Sequence, residues 1–172
     1  SSVSTAKQPF RLSSKTEAFT RWDSSSAPFT GRVDDVAQRC GGANDTGAIL
    51  IKRGYRGGPN FDLGVGYDLL GNDRQHLMAY LQARRPRIMM MSTPCTGMKG
   101  FSHLNRVINH RAWVRSRRVS VPLAKLAGEV AMIQVRNGRH LLAEHPQGSD
   151  LWPLAIWKLI VQLPQVVRVL IH

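Results

Sequence analysis

The sequence predicts an α/β domain built on an open, mostly parallel sheet with helices on both faces. Three observations predict it. Short apolar runs alternate with helical periodicities from residue 33 onward, which is the pattern of strands joined by crossover helices. The run "IMMM" (88–91) is continuous rather than alternating, as in a strand buried on both faces. Reactive side chains, finally, fall where strands end, and ligands of such sheets collect at those carboxyl ends.

In chain order, residues 1–32 are rich in Ser, Thr, Lys and Arg without apolar periodicity, and are expected to form an extended or disordered basic arm, loosely similar in its poverty of acids to an organelle transit segment. The α/β domain is expected to span 33–172. "VDDVAQRC" (33–40) is a first strand, poorly apolar for a central one, and "CGGANDTG" (40–47) a glycine-rich turn entering a helix over 45–54. "GGPNFDL" (57–63) is a short strand with Asp62 near its end. "NDRQHLMAYLQARR" (72–85) sets Leu77, Met78 and Leu81 at helical spacing between a polar start and a basic last turn. Residues 87–91 are a buried strand, and 96–120 an irregular basic segment. A helix follows over 121–138, with Pro122 in its first turn and Gly138 at its end. "HLLAEHP" (140–146) is a strand closing on Glu144, "SDLWPLAIWKLIVQL" (149–163) a capped helix, and "VVRVLIH" (166–172) a last strand.

Charge bounds the partners. Lys and Arg number 24 against 11 Asp and Glu, a formal net charge of +13. Between Arg74 and Gly128 there is no acid at all. Such a field attracts polyanions, of which nucleic acid is the commonest, and the same field suits a basic subunit of a larger complex. Two cysteines make no disulfide framework, so a reducing intracellular compartment (nucleus, cytoplasm or organelle matrix) is expected. The histidines and cysteines lack metal-ligand spacing, and no metal is expected. Lys158, Pro164 and Arg168 interrupt the apolar C-terminal stretch, which argues against a membrane span.

Four side chains carry the chemistry. Cys95, after Pro94 at a strand exit, is either a presented thiolate with Lys99, Arg106 and Arg111 nearby in sequence, or a small core residue. Glu144 ends a strand, where a buried carboxylate needs a partner or a task. The partner is one of the many arginines, or a cytosine whose N3 edge and amine a carboxyl group can hold. Asp62 and Asp68 lie in "NFDLGVGYDLL" (60–70): acids at strand ends accept from ribose hydroxyls, and acids beside glycine equally make turns.

The order glycine loop, acid-ended strand, "GYDLL", "STPCT" and "LLAEHP" resembles the catalytic core of DNA cytosine-C5 methyltransferases. Still more specifically, "TPCT…FSHLN" with "GRHLLAEHP" is similar to methyltransferase-like segments of protist retroelement-type polyproteins. The resemblance covers residues 33–172. It implies a Rossmann-like methyltransferase fold, truncated, since the family's later arginine motif and target-recognition domain do not follow. It implies S-adenosylmethionine as cofactor, with Gly41 and Gly42 in its loop, Asp62 at its ribose and Asp68 at its adenine. Cys95 is then the nucleophile and Glu144 the cytosine-binding carboxylate, with Lys99, Arg106, Arg111, Arg115, Arg117 and Arg118 against phosphates. His145 and Pro146 stand where the family has Asn and Val. An inert module that binds nucleic acid or a partner, and a structural subunit of a large assembly, remain the alternative readings.

Overall fold

The computed structural model describes residues 34–40, 45–99 and 101–170. The basic arm and the glycine-loop residues Gly41 and Gly42 therefore lie outside the described residues. Four strands form one sheet: β1 (Val36–Arg39), β2 (Gly57–Phe61), β3 (Ile88–Ser92) and β4 (His140–Glu144). Their order is β2-β1-β3-β4 and every pairing is parallel. The predicted open α/β sheet is thus present.

Two adjacent glycines show how helices reach both faces. Successive strand residues point to opposite sides of a sheet. A side chain at Gly57 would strike Ile51 of α1 (Asp45–Lys52), and one at Gly58 would strike the hydroxyl of Tyr80 on α2 (Asp73–Arg84). The two helices therefore press on β2 from opposite sides. The long α4 (His110–Arg136) shares the face of α2, because Arg39, on the same side of its strand as Ala37, donates to the Leu123 carbonyl. α5 (Ala155–Val161) lies on α4, where the Trp157 indole donates to the Ala124 carbonyl and Gly128 makes room for Ile156. Between sheet and helices sits one core that includes Phe61, Tyr80, Leu81, Met89, Met91, Ala127 and Val130. Phe61 stacks at a tilt against both Tyr67 and Tyr80, and burying rings of this size is the largest single contribution available to so small a core.

The structure corrects four expectations. Residues 101–120 are helical, not irregular: α3 (Phe101–Ile108) is followed at once by α4. The Asn109 side chain accepts from the Ala112 amide and caps the second helix, which an arginine-rich run propagates well. Pro122 consequently lies inside α4 rather than in its first turn. α5 is shorter than predicted, because Ser149 bonds its own following turn through Leu151 N instead of capping a helix. Residues 166–170 pair with no strand, so the expected last strand does not form there, and Val167 and Val169 stay exposed. Among the described residues no helix is long and apolar enough to cross a membrane.

Candidate functional site

The carboxyl ends of all four strands open on one rim. In the β3–β4 register Ser92 faces Glu144. Cys95 lies three residues beyond Ser92, so thiol and carboxylate leave adjacent strands at the same edge, and both are exposed to solvent. Glu144 is exposed rather than buried, so no burial demands a partner for its carboxylate.

The loop that carries Cys95 is held from several directions. Met98 N donates to the Cys95 carbonyl and closes a turn. The Met98 carbonyl accepts from Asp150 N at 2.8 Å and from the Ser149 hydroxyl at 3.3 Å. Arg117, on α4, donates to the Gly97 carbonyl at 3.2 Å and forms an ion pair with Asp150. His103 approaches the other Asp150 oxygen at 3.5 Å. Gly97 has to be glycine for a packing reason, since a Cβ would lie 2.8 Å from the backbone carbon and oxygen of Ser116 and from the Ser120 hydroxyl. Below the loop, the fully buried Arg39 reaches the Thr93 hydroxyl at 3.5 Å and the Leu123 carbonyl at 2.7 Å. No carboxylate pairs with it among the described residues, and burial draws its pKa down. Arg39 thus ties β1 to the residue after β3 and to α4.

The turn after β4 is pinned as well. The Trp152 indole donates to the Pro146 carbonyl at 3.1 Å, its ring meets His145 and Trp157 edge-on, and the Arg168 guanidinium stacks on it at 4.4 Å. His145 is half-buried, and neither ring nitrogen makes a hydrogen bond of proper geometry. Burial pushes its imidazole below the usual range, against the opposing pull of Glu144 and of the nearby Pro94 backbone. His145 thus follows Glu144 directly and lies near the Pro94 backbone.

At the β2 end the acids are engaged locally. Asp62 follows β2 and caps a 3-10 turn (Leu63–Val65), its Oδ1 accepting from Gly64 N at 2.7 Å. Asp68 lies beyond that turn rather than at a strand end; its Oδ1 accepts from Leu70 N and Gly71 N. Asp62 lies at the tip of the strand next to β1, whereas Asp68 serves a turn away from the strand end. Cys40 ends β1 in a left-handed conformation (φ 54°), and burial raises its thiol pKa although Arg39 opposes this. Of the two cysteines, it is the one chemistry would not choose.

The predicted phosphate contacts divide. Arg111, Arg115 and Arg118 are exposed on α4, and Lys99 is half-buried beside the loop. Arg106 lies over the Trp113 ring at 5.7 Å. Arg117 also faces that ring, at 5.3 Å, but its charge is paired with Asp150. Sequence reasoning missed Arg39, Asp150 and His145. Asp150 reads as half of a helix cap, and Arg39 has no sequence signal beyond being a cation in an otherwise buried run.

Among the described residues no group of three or more His, Cys, Asp or Glu is placed to hold a metal ion. Compared with protein-family models, with curated proteins and with solved structures, the chain matches none.

Proposed function

We propose that this domain is a methyltransferase-like module that engages a cytosine of nucleic acid through Cys95 and Glu144. The observation that carries the reading is the pairing of Ser92 with Glu144, which sets a solvent-facing thiol and carboxylate at adjacent strand ends. C6 of cytosine is unreachable in a stacked duplex, so the base must leave its stack. Cys95 Sγ then bonds to C6, and the ring electrons move to C5 while Glu144 holds N3 and the exocyclic amine. Asp62 would hold the ribose of S-adenosylmethionine, which would supply an electrophilic methyl group for C5 and leave as S-adenosylhomocysteine. Loss of the C5 proton to water restores the double bond and expels the thiolate. The anchored 95–98 turn holds the nucleophile in place so that attack needs no loop rearrangement.

Calorimetry with S-adenosylmethionine tests the cofactor half: binding is expected, weakened at least tenfold in Asp62→Ala. A duplex containing 5-fluorocytosine tests the other half, since a covalent adduct should form and vanish in Cys95→Ser. No binding and no adduct would sink the reaction. The second reading, a catalytically inert nucleic-acid-binding module or basic structural subunit, is favoured by Asp68, whose carboxylate is taken up by its own turn. Retained nucleic-acid affinity without either signal would select it.

A further inference from the structure

The junction of α3 and α4 combines two features that do not normally coexist on a soluble surface. The first is aliphatic. Leu104, Val107 and Ile108 are 50%, 85% and 71% exposed, and their i, i+3, i+4 spacing puts them on one face of α3. They end at Asn109, where the backbone leaves helical geometry before α4 begins, so the apolar face stands at a corner. The second is cationic. Arg111, Arg115 and Arg118 are exposed on the next helix, and the i, i+4, i+7 spacing aligns them in one stripe about 10 Å long. Neither α3 nor the first half of α4 contains an acid.

What meets such a corner must be anionic. The first 33 residues carry five Lys and Arg against two acids, and the whole chain is +13; neither that segment nor a second copy complements it. An extended nucleic acid does. Its phosphates suit an arginine stripe, and an aliphatic wedge suits the gap between two base pairs, where inserted Leu, Ile or Val-sized side chains unstack and kink a duplex. We infer that the α3–α4 corner is a nucleic-acid wedge: Arg111, Arg115 and Arg118 grip the backbone, and Val107 with Ile108 enters the stack. Arg117 takes no part, being held by Asp150. This extends the nucleic-acid side of the reading above, but it requires neither the cofactor nor Cys95.

The test uses the full chain, a duplex carrying 2-aminopurine and anisotropy at stepped salt. The wedge predicts a severalfold rise in 2-aminopurine fluorescence on binding, retained in Cys95→Ser. Val107→Ser/Ile108→Ser should abolish that rise while leaving the salt dependence of affinity unchanged. Arg111→Ala/Arg115→Ala/Arg118→Ala should weaken binding and flatten the log K against log salt slope by about 0.9 per arginine. All five positions are exposed, and unchanged melting curves would show that the variants fold. Three results overturn the inference: a fluorescence rise that survives the serine pair, a salt slope untouched by the arginine triple, or a serine pair that loses binding to anionic phosphatidylserine vesicles, or to an acidic protein, rather than duplex unstacking. Failure of S-adenosylmethionine binding or of adduct formation overturns the reaction above and leaves the wedge standing.

Discussion

The β2 end of the rim and the β3–β4 end are built differently. At β2, Asp62 and Asp68 accept from amides two and three residues ahead of them, so each turn is closed by a short-range bond. At β3–β4, the Cys95 turn is completed by Arg117, Ser149, Asp150 and, beneath it, Arg39, residues 20 to more than 50 positions away. Turns closed by short-range bonds depend little on the rest of the fold, and each engages one oxygen of its carboxylate. A turn tied by distant residues can leave its own thiol exposed, and it depends on the whole fold being in place.

Substitutions at the two ends break or sharpen that contrast. The largest effect is expected at Gly97. Its missing Cβ is 2.8 Å from α4 backbone that cannot yield, and Gly97→Ala should cost roughly 2–3 kcal/mol in urea unfolding, in line with overpacked sites. At the β2 end, Gly66 has a positive φ of 90° and open space around it, so Gly66→Ala should cost only about 1 kcal/mol, all of it conformational. Equal costs would erase the distinction. Arg117→Ala comes next, at about 1–2 kcal/mol, because it leaves a half-buried Asp150 and the Gly97 carbonyl without their donor. It should also loosen the turn, which thiol-labelling rates of Cys95 would register. Asp68→Ala, about 1 kcal/mol through its lost turn bonds, should leave that labelling unchanged.

The smallest effect is a pH dependence. The His145 pKa is lowered in the folded chain from an ordinary 6.5, chiefly by burial. Between the two values the unfolded chain binds more protons, so stability rises with pH there. The contribution is complete above about 6.5 and is lost as pH falls through the folded value. The melting temperature should therefore drop more steeply from pH 7 to pH 5 in the parent than in His145→Gln. A steeper drop in the variant would remove His145 from the rim's electrostatics.

Much of this architecture was legible from residues alone. "IMMM" announces a core strand, of which Met89 and Met91 are buried and Ile88 and Met90, on the other face, only half so; Leu77 and Leu81 announce the buried side of α2. The strand ends carrying Asp62 and Glu144 were legible for the same reason. β1 falls within the run read as a first strand, and its poor apolarity has a tertiary reason: the buried Arg39 donates to a hydroxyl and a carbonyl 54 and 84 residues away. The helical run 101–120 was missed because its dense arginines read as a basic loop, although Leu104, Val107 and Ile108 stand at helical i, i+3, i+4 spacing. The terminal "VVRV" alternates as a strand should, yet alternation cannot supply a neighbour to pair with. Asp68 shows the limit at the site: an acid beside glycine reads equally as a ligand or a turn, and only the positions of Leu70 N and Gly71 N decide.

α4 looks continuous over 27 residues, yet every one of its buried positions lies between Ser120 and Gln134. Pro122 removes an amide at the boundary. Hydrogen–deuterium exchange should accordingly divide this one rod into a slow C-terminal block and a fast N-terminal block. The turns ahead of Ser116, which bear Arg111 and Arg115, can then fray and re-form without opening the hydrophobic interior or releasing the Gly97 and Asp150 contacts, giving the domain a soft tip on a hard body.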